Sequence, residues 1–67
     1  MLKAIVTRQN KDGTYDEVGM NNRIIVKGKS NSSIRKEAEA YKNGSLCRVE
    51  LFYDSKFYKD PFHCFYV

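Results

Sequence analysis

Hydrophobic and polar positions change their period twice along this chain. From Leu2 to Arg8 they alternate, with Leu2, Ala4 and Val6 on one side and Lys3, Ile5 and Thr7 on the other, and the β-branched content predicts a strand. Asn10-Lys11-Asp12-Gly13 then reads as a hairpin turn, because Asp-Gly tolerates positive φ. A weaker second strand is predicted over Thr14 to Met20, diluted by Gly19 and the Asp16-Glu17 pair. The Asn21-Asn22 turn leads from it into Arg23-Ile24-Ile25-Val26-Lys27.

The period lengthens after Gly28. Residues Gly28 to Ser33 are small and polar, and Asn31, Ser32 and Ser33 are candidate N-caps that could accept hydrogen bonds from free helix amides. Ile34, Ala38 and Tyr41 recur at i, i+4 and i+7, a stripe that predicts a short helix ending near Asn43-Gly44. Arg35, Lys36, Glu39 and Lys42 occupy its opposite face. Isolated helices need roughly 12 to 15 residues to persist, so this one must pack on the sheet.

Alternation returns between Leu46 and Asp54, setting Cys47, Val49, Leu51 and Tyr53 against Arg48, Glu50 and Phe52. Asp54-Ser55-Lys56 and Asp60-Pro61 are turn signals around a short Phe57-Tyr58-Lys59 piece, and Phe62 to Val67 forms a last aromatic strand. The predicted order is β-β-(β)-α-β-(β)-β. That is an α+β chain forming one domain over residues 1–67, with a curved antiparallel sheet of four to five strands packed on one α-helix.

Size limits what such a chain can do. A protein of 67 residues buries only about 60% of the surface its unfolded form exposes, which leaves little core for an enclosed active site. Hydrophobic residues at 42% and charged residues at 30% give a globular balance. No apolar run nears the roughly 18 residues of a membrane span, and Leu2 to Thr7 lacks the apolar region and cleavage site of a secretory signal. A cytoplasmic location without a membrane partner is expected. Cys47 and Cys64 are too few for a disulfide framework and read as reduced thiols.

Candidate chemistry is sparse. Gly28-Lys29-Ser30 follows a strand and precedes a helix, like the end of a phosphate loop, but Arg23 stands where the motif's first glycine belongs. A looser anion contact is still expected there, because helix amides carry partial positive charge and Lys27, Lys29, Arg35 and Lys36 lie beside them. The stretch from Val18 to Lys36 holds five basic residues and no acidic one, Arg23 included. Cys47, His63 and Cys64 are scattered within strands and lack the close pairs and the fourth ligand of a structural zinc site, so neither metal nor cofactor is expected. His63 and Cys64 are consecutive in a strand and diverge, and the carboxylates read as isolated, solvated groups. No enzyme is predicted.

Seven of the nine aromatic residues fall between Phe52 and Tyr66, interspersed with Lys56, Lys59 and His63. Successive strand residues face opposite ways, so one helix cannot cover them all. If Cys47, Val49 and Leu51 face the helix, Phe52 lies on the other face, joined there either by Phe62, Cys64 and Tyr66 or by His63, Phe65 and Val67. Tyr58, between two turns, is the first candidate for an exposed contact.

The strand-hairpin opening, the polar helix start at Asn31-Ser32-Ser33, the Ile34-Arg35-Lys36-Glu37-Ala38-Glu39-Ala40 segment and Cys47-Arg48-Val49-Glu50-Leu51 together resemble small phage proteins that disable bacterial defence, including some anti-CRISPR proteins. The resemblance spans the chain as an order of elements. It implies a non-enzymatic inhibitor that docks on a host protein or protein–nucleic-acid complex. Many such proteins are acidic DNA mimics, and the net charge of +4 departs from that subtype.

The expected partner- or anion-binding residues are therefore Arg23, Lys27, Lys29, Arg35, Lys36, Lys56, Tyr58 and Lys59. The alternative is a stand-alone basic nucleic-acid-binding module that uses the same residues against phosphates. A third reading is a homodimer that buries its own aromatic face.

Overall fold

Rows of apolar residues running across strands decide how this chain is layered. In the computed structural model, which describes residues 2–42, 44–53 and 61–67, the elements are β1 (Leu2–Arg8), β2 (Arg23–Gly28), α1 (Asn31–Lys42), β3 (Cys47–Tyr53) and β4 (His63–Tyr66). The strands form one open antiparallel sheet in the order β2-β1-β3-β4. Its register aligns Ile24, Val6, Val49 and Phe65 in one row and Val26, Ala4 and Leu51 in the next, all on the face that α1 covers.

The helix stripe was legible and packs as its spacing requires. Ile34 and Ala38 are fully buried against that face, and Tyr41 closes the far end. Full burial of a side chain such as Ile34 or Leu51 contributes about 1.5 to 3 kcal/mol. At the helix C-terminus, Arg8 donates from Nη2 to the Tyr41 carbonyl at 2.9 Å and stacks its guanidinium 4.3 Å from the Tyr41 ring centre. A cation at that end also suits the helix dipole. Gly44 at φ +84° gives the chain the left-handed turn expected beyond the helix.

Two expectations are corrected. Thr14 to Met20 is not a strand but part of a long connection, and β1 pairs instead with Arg23–Gly28. The Asn10 to Gly13 turn is present, with the Gly13 amide donating to the Asn10 carbonyl at 3.0 Å. The segment beyond it is held by side chains instead of a ladder. Asn10 Nδ2 donates to Asp16 Oδ1 at 3.0 Å, Asn22 Nδ2 donates to Asn10 Oδ1 at 2.9 Å, and Asp12 Oδ1 accepts from both the amide and hydroxyl of Thr14. Asp, Asn and Thr bond locally in this way at the expense of sheet pairing.

The helix cap is Ser30, one residue before the first of the candidates Asn31, Ser32 and Ser33. The Ser30 carbonyl accepts from the Ile34 amide at 3.2 Å, and the Ser30 hydroxyl accepts from the Ser33 amide at 3.3 Å. Ser33 Oγ in return accepts from the Ser30 amide at 3.3 Å. This is a reciprocal capping box with serine in the place usually held by Glu or Gln. The Phe57-Tyr58-Lys59 piece lies outside the described residues.

Candidate functional site

The face of the sheet away from α1 has its own rows. One runs Arg23, Thr7, Arg48, Tyr66; the next runs Ile25, Ile5, Glu50, Cys64; a third runs Lys27, Lys3, Phe52. The β4 alternative left open by the sequence is thus resolved: Cys64 and Tyr66 lie on Phe52's face, and Phe65 lies toward the helix. Phe62 precedes β4 and stacks on Tyr53, with ring centres 4.4 Å apart. Phe52 is only 4% exposed, so it belongs to the buried set.

The connection between β1 and β2 folds over the first of these rows. Arg48 grips Glu17 through two nitrogens, Nη2 to Oε2 at 2.9 Å and Nη1 to Oε1 at 3.3 Å, and lies 3.6 Å from Glu50. Its guanidinium also sits 5.1 Å from the Tyr15 ring centre, and Tyr15 tilts against Tyr66 at 5.9 Å. Burial, then the neighbouring Tyr66, pushes the Tyr15 phenol above its ordinary pKa. The Arg48 hydrogen bond holds Glu17 below the usual carboxylate range, and the Thr14 hydroxyl does the same for Asp12. The carboxylates at 12 and 17 are therefore engaged and perturbed, contrary to the reading of all acidic residues as isolated. Thr7 is fully buried beneath this connection, its hydroxyl accepting from Arg23 Nε at 3.3 Å.

The predicted contact residues separate into two groups. Arg23 and Lys27 stand on the helix-free face of β2, and Arg23 also donates from Nη1 to the Gly19 carbonyl at 3.3 Å. Arg35 and Lys36 are on α1, where they line an open depression of about 510 Å³ with Ser30, Asn31, Ser32, Ser33 and Glu39. Lys29 is exposed in the link between β2 and α1. Arg35 is partly committed already, its guanidinium 4.2 Å from the Phe65 ring centre. Residues contiguous in sequence are thus divided between two sides of the sheet. Lys56, Tyr58 and Lys59 lie outside the described residues.

Two residues with organising roles were missed. Arg48 and Arg8 look like ordinary polar positions in alternating strands, and only tertiary contacts with Glu17 and Tyr41 distinguish them. Cys47 lies in the core and Cys64 on the opposite face, and burial raises the pKa of both thiols, away from the nucleophilic thiolate. Among the described residues, no three His, Cys, Asp or Glu side chains come together as a metal group. No helix among them is long and apolar enough to cross a membrane. No family model, curated protein or solved structure matches the chain.

Proposed function

We propose that this chain is a small non-catalytic binding or inhibitor protein of the kind phages and mobile elements use, docking on a host protein or protein–nucleic-acid complex. One observation carries the reading: α1 covers one face of the sheet, while the other face keeps exposed apolar side chains beside basic ones, Ile25 between Arg23 and Lys27 along β2 and Tyr66 in the row of Arg23 and Arg48. Val18 and Met20, 83% and 59% exposed, are further apolar side chains on the connection between β1 and β2. Exposed apolar side chains set among charged ones are found at protein contact surfaces. The choice of partner class rests on the resemblance of the sequence layout to small anti-defence proteins.

The depression beside Lys36 and Arg35 favours a second reading, a phosphate or nucleic-acid contact at the start of α1. Salt separates the two. Phosphate binding weakens steeply as counterions compete, whereas an apolar protein interface does not. Affinity capture from host lysate, run beside gel shifts with DNA and RNA over a salt series, is expected to retain one protein complex stoichiometrically at high salt. Salt-sensitive shifts with no retained complex would support the second reading instead.

A further inference from the structure

The outer edge of β2 presents backbone groups that the sheet does not use. The Arg8 amide donates to the Asn22 carbonyl at 2.7 Å, which places Arg8 and Asn22 in a hydrogen-bonded pair. Antiparallel alternation then assigns the inward bonds of β2 to Ile24, Val26 and Gly28. Arg23, Ile25 and Lys27 consequently aim their N–H and C=O groups away from β1. Since β2 ends the strand order, those groups meet no backbone partner among the described residues.

The side chains of these three residues select what can pair there. All stand on the helix-free face in the order basic, apolar, basic, and Ile25 is 48% exposed. A second copy of β2 laid antiparallel about Ile25 would set Arg23 against Lys27 at both ends, and a parallel copy would set Arg against Arg and Lys against Lys. Like charges directly opposite each other destabilise a strand pair, and basic edge residues are a common guard against self-pairing. The same charges attract a strand that carries carboxylates at those positions. The connection entering β2 is tied to it by the Arg23 bond to the Gly19 carbonyl, and Val18 and Met20 on either side of Gly19 are exposed.

We infer that β2 is a docking edge for an extended acidic segment of a partner protein, which adds a strand with Glu or Asp opposite Arg23 and Lys27 and an apolar residue opposite Ile25. Main-chain bonds give such strand addition its affinity, and alternate side chains give it specificity. This inference rests on the binding reading above and names its partner chemistry.

The test uses a synthetic peptide with a Glu-Thr-Val-Thr-Glu core, its counterpart with lysine in place of glutamate, and a short single-stranded DNA, each titrated into the whole chain. Amide exchange is expected to slow at Arg23, Ile25 and Lys27 with the acidic peptide and to stay unchanged at Ile24 and Val26, which are already bonded. The lysine peptide should bind about tenfold more weakly. Ile25→Pro removes an N–H that the sheet does not use, so it should abolish peptide binding while the β1–β2 ladder survives. Should that variant unfold, Lys27→Glu serves in its place, with an expected loss of about fivefold. Equal responses to both peptides, no response at the three amides, or a response there to the DNA alone would each overturn the inference. If the peptides fail while the wild-type chain still retains a stoichiometric partner, only the edge assignment falls; if nothing is retained, the binding reading falls with it.

Discussion

At Gly28 the chain has room for a hydrogen and little more. An added Cβ would stand 2.6 Å from Ser33 Oγ and 3.0 Å from Ile34 Cγ1, so the end of β2 and the first turn of α1 touch through this residue. The Gly-Lys-Ser sequence that resembled part of a phosphate loop thus has a structural account: Gly28 permits the close approach and Ser30 caps the helix. In Gly28→Ala the Ser33 hydroxyl must swing away and give up its place in the capping box, and the fully buried Ile34 must shift. A cost of about 1 to 3 kcal/mol is expected, read from the urea midpoint. Ser33→Ala in the Gly28→Ala background should cost less than the two changes added, because both disturb the same contact.

Among elements, the connection over residues 9–22 depends most on charge. Glu17 and Asp12 both have lowered pKa values when folded, the first through Arg48 and the second through Thr14. A carboxylate with a depressed folded pKa stabilises the fold above its unfolded pKa, near pH 4, and this contribution is lost as pH falls through the folded value. Chemical-shift changes across residues 14–20, followed by NMR, are therefore expected below about pH 4, before the sheet amides lose their exchange protection. Glu17→Gln should flatten that acid response. An unchanged profile in Glu17→Gln would show that the Arg48 grip does not fasten the connection. Sequence patterning misses this element because Thr14 and Glu17 bond to side chains and Tyr15 packs its ring against Arg48 and Tyr66 on distant strands, and neither strand nor helix period records such contacts.

For the whole molecule, a single layer of helix on one sheet face leaves a thin core. Domains retain about 0.05 to 0.15 kcal/mol of stability per residue, which for this length amounts to only several kcal/mol. Leu51 is 1% exposed at the centre of the helix-facing rows, and Leu51→Ala is expected to remove about 2 to 5 kcal/mol. That loss rivals the total, so the variant should be substantially unfolded at 37 °C by far-ultraviolet circular dichroism. A cooperative melt close to that of the wild type would place the core elsewhere. The same thinness leaves part of the second face for contacts, since among the described residues no helix lies over Ile25 or Tyr66, which are about half exposed.

The sequence alone determined the strands at both ends, the helix stripe of Ile34 and Ala38 and the glycine turn after it, because period and turn chemistry are local properties that neighbours along the chain encode. It also placed Cys47, Val49 and Leu51 on one face, since a strand alternates whatever it pairs with. Tertiary structure decided that β1 passes over the 14–20 segment to pair with β2, that Arg48 and Arg8 become anchors, and that the basic stretch from Arg23 to Lys36 divides between two sides of the sheet. Each of these depends on which distant groups meet, and register and strand order are set by the burial of the whole apolar set at once, which no single window of sequence contains.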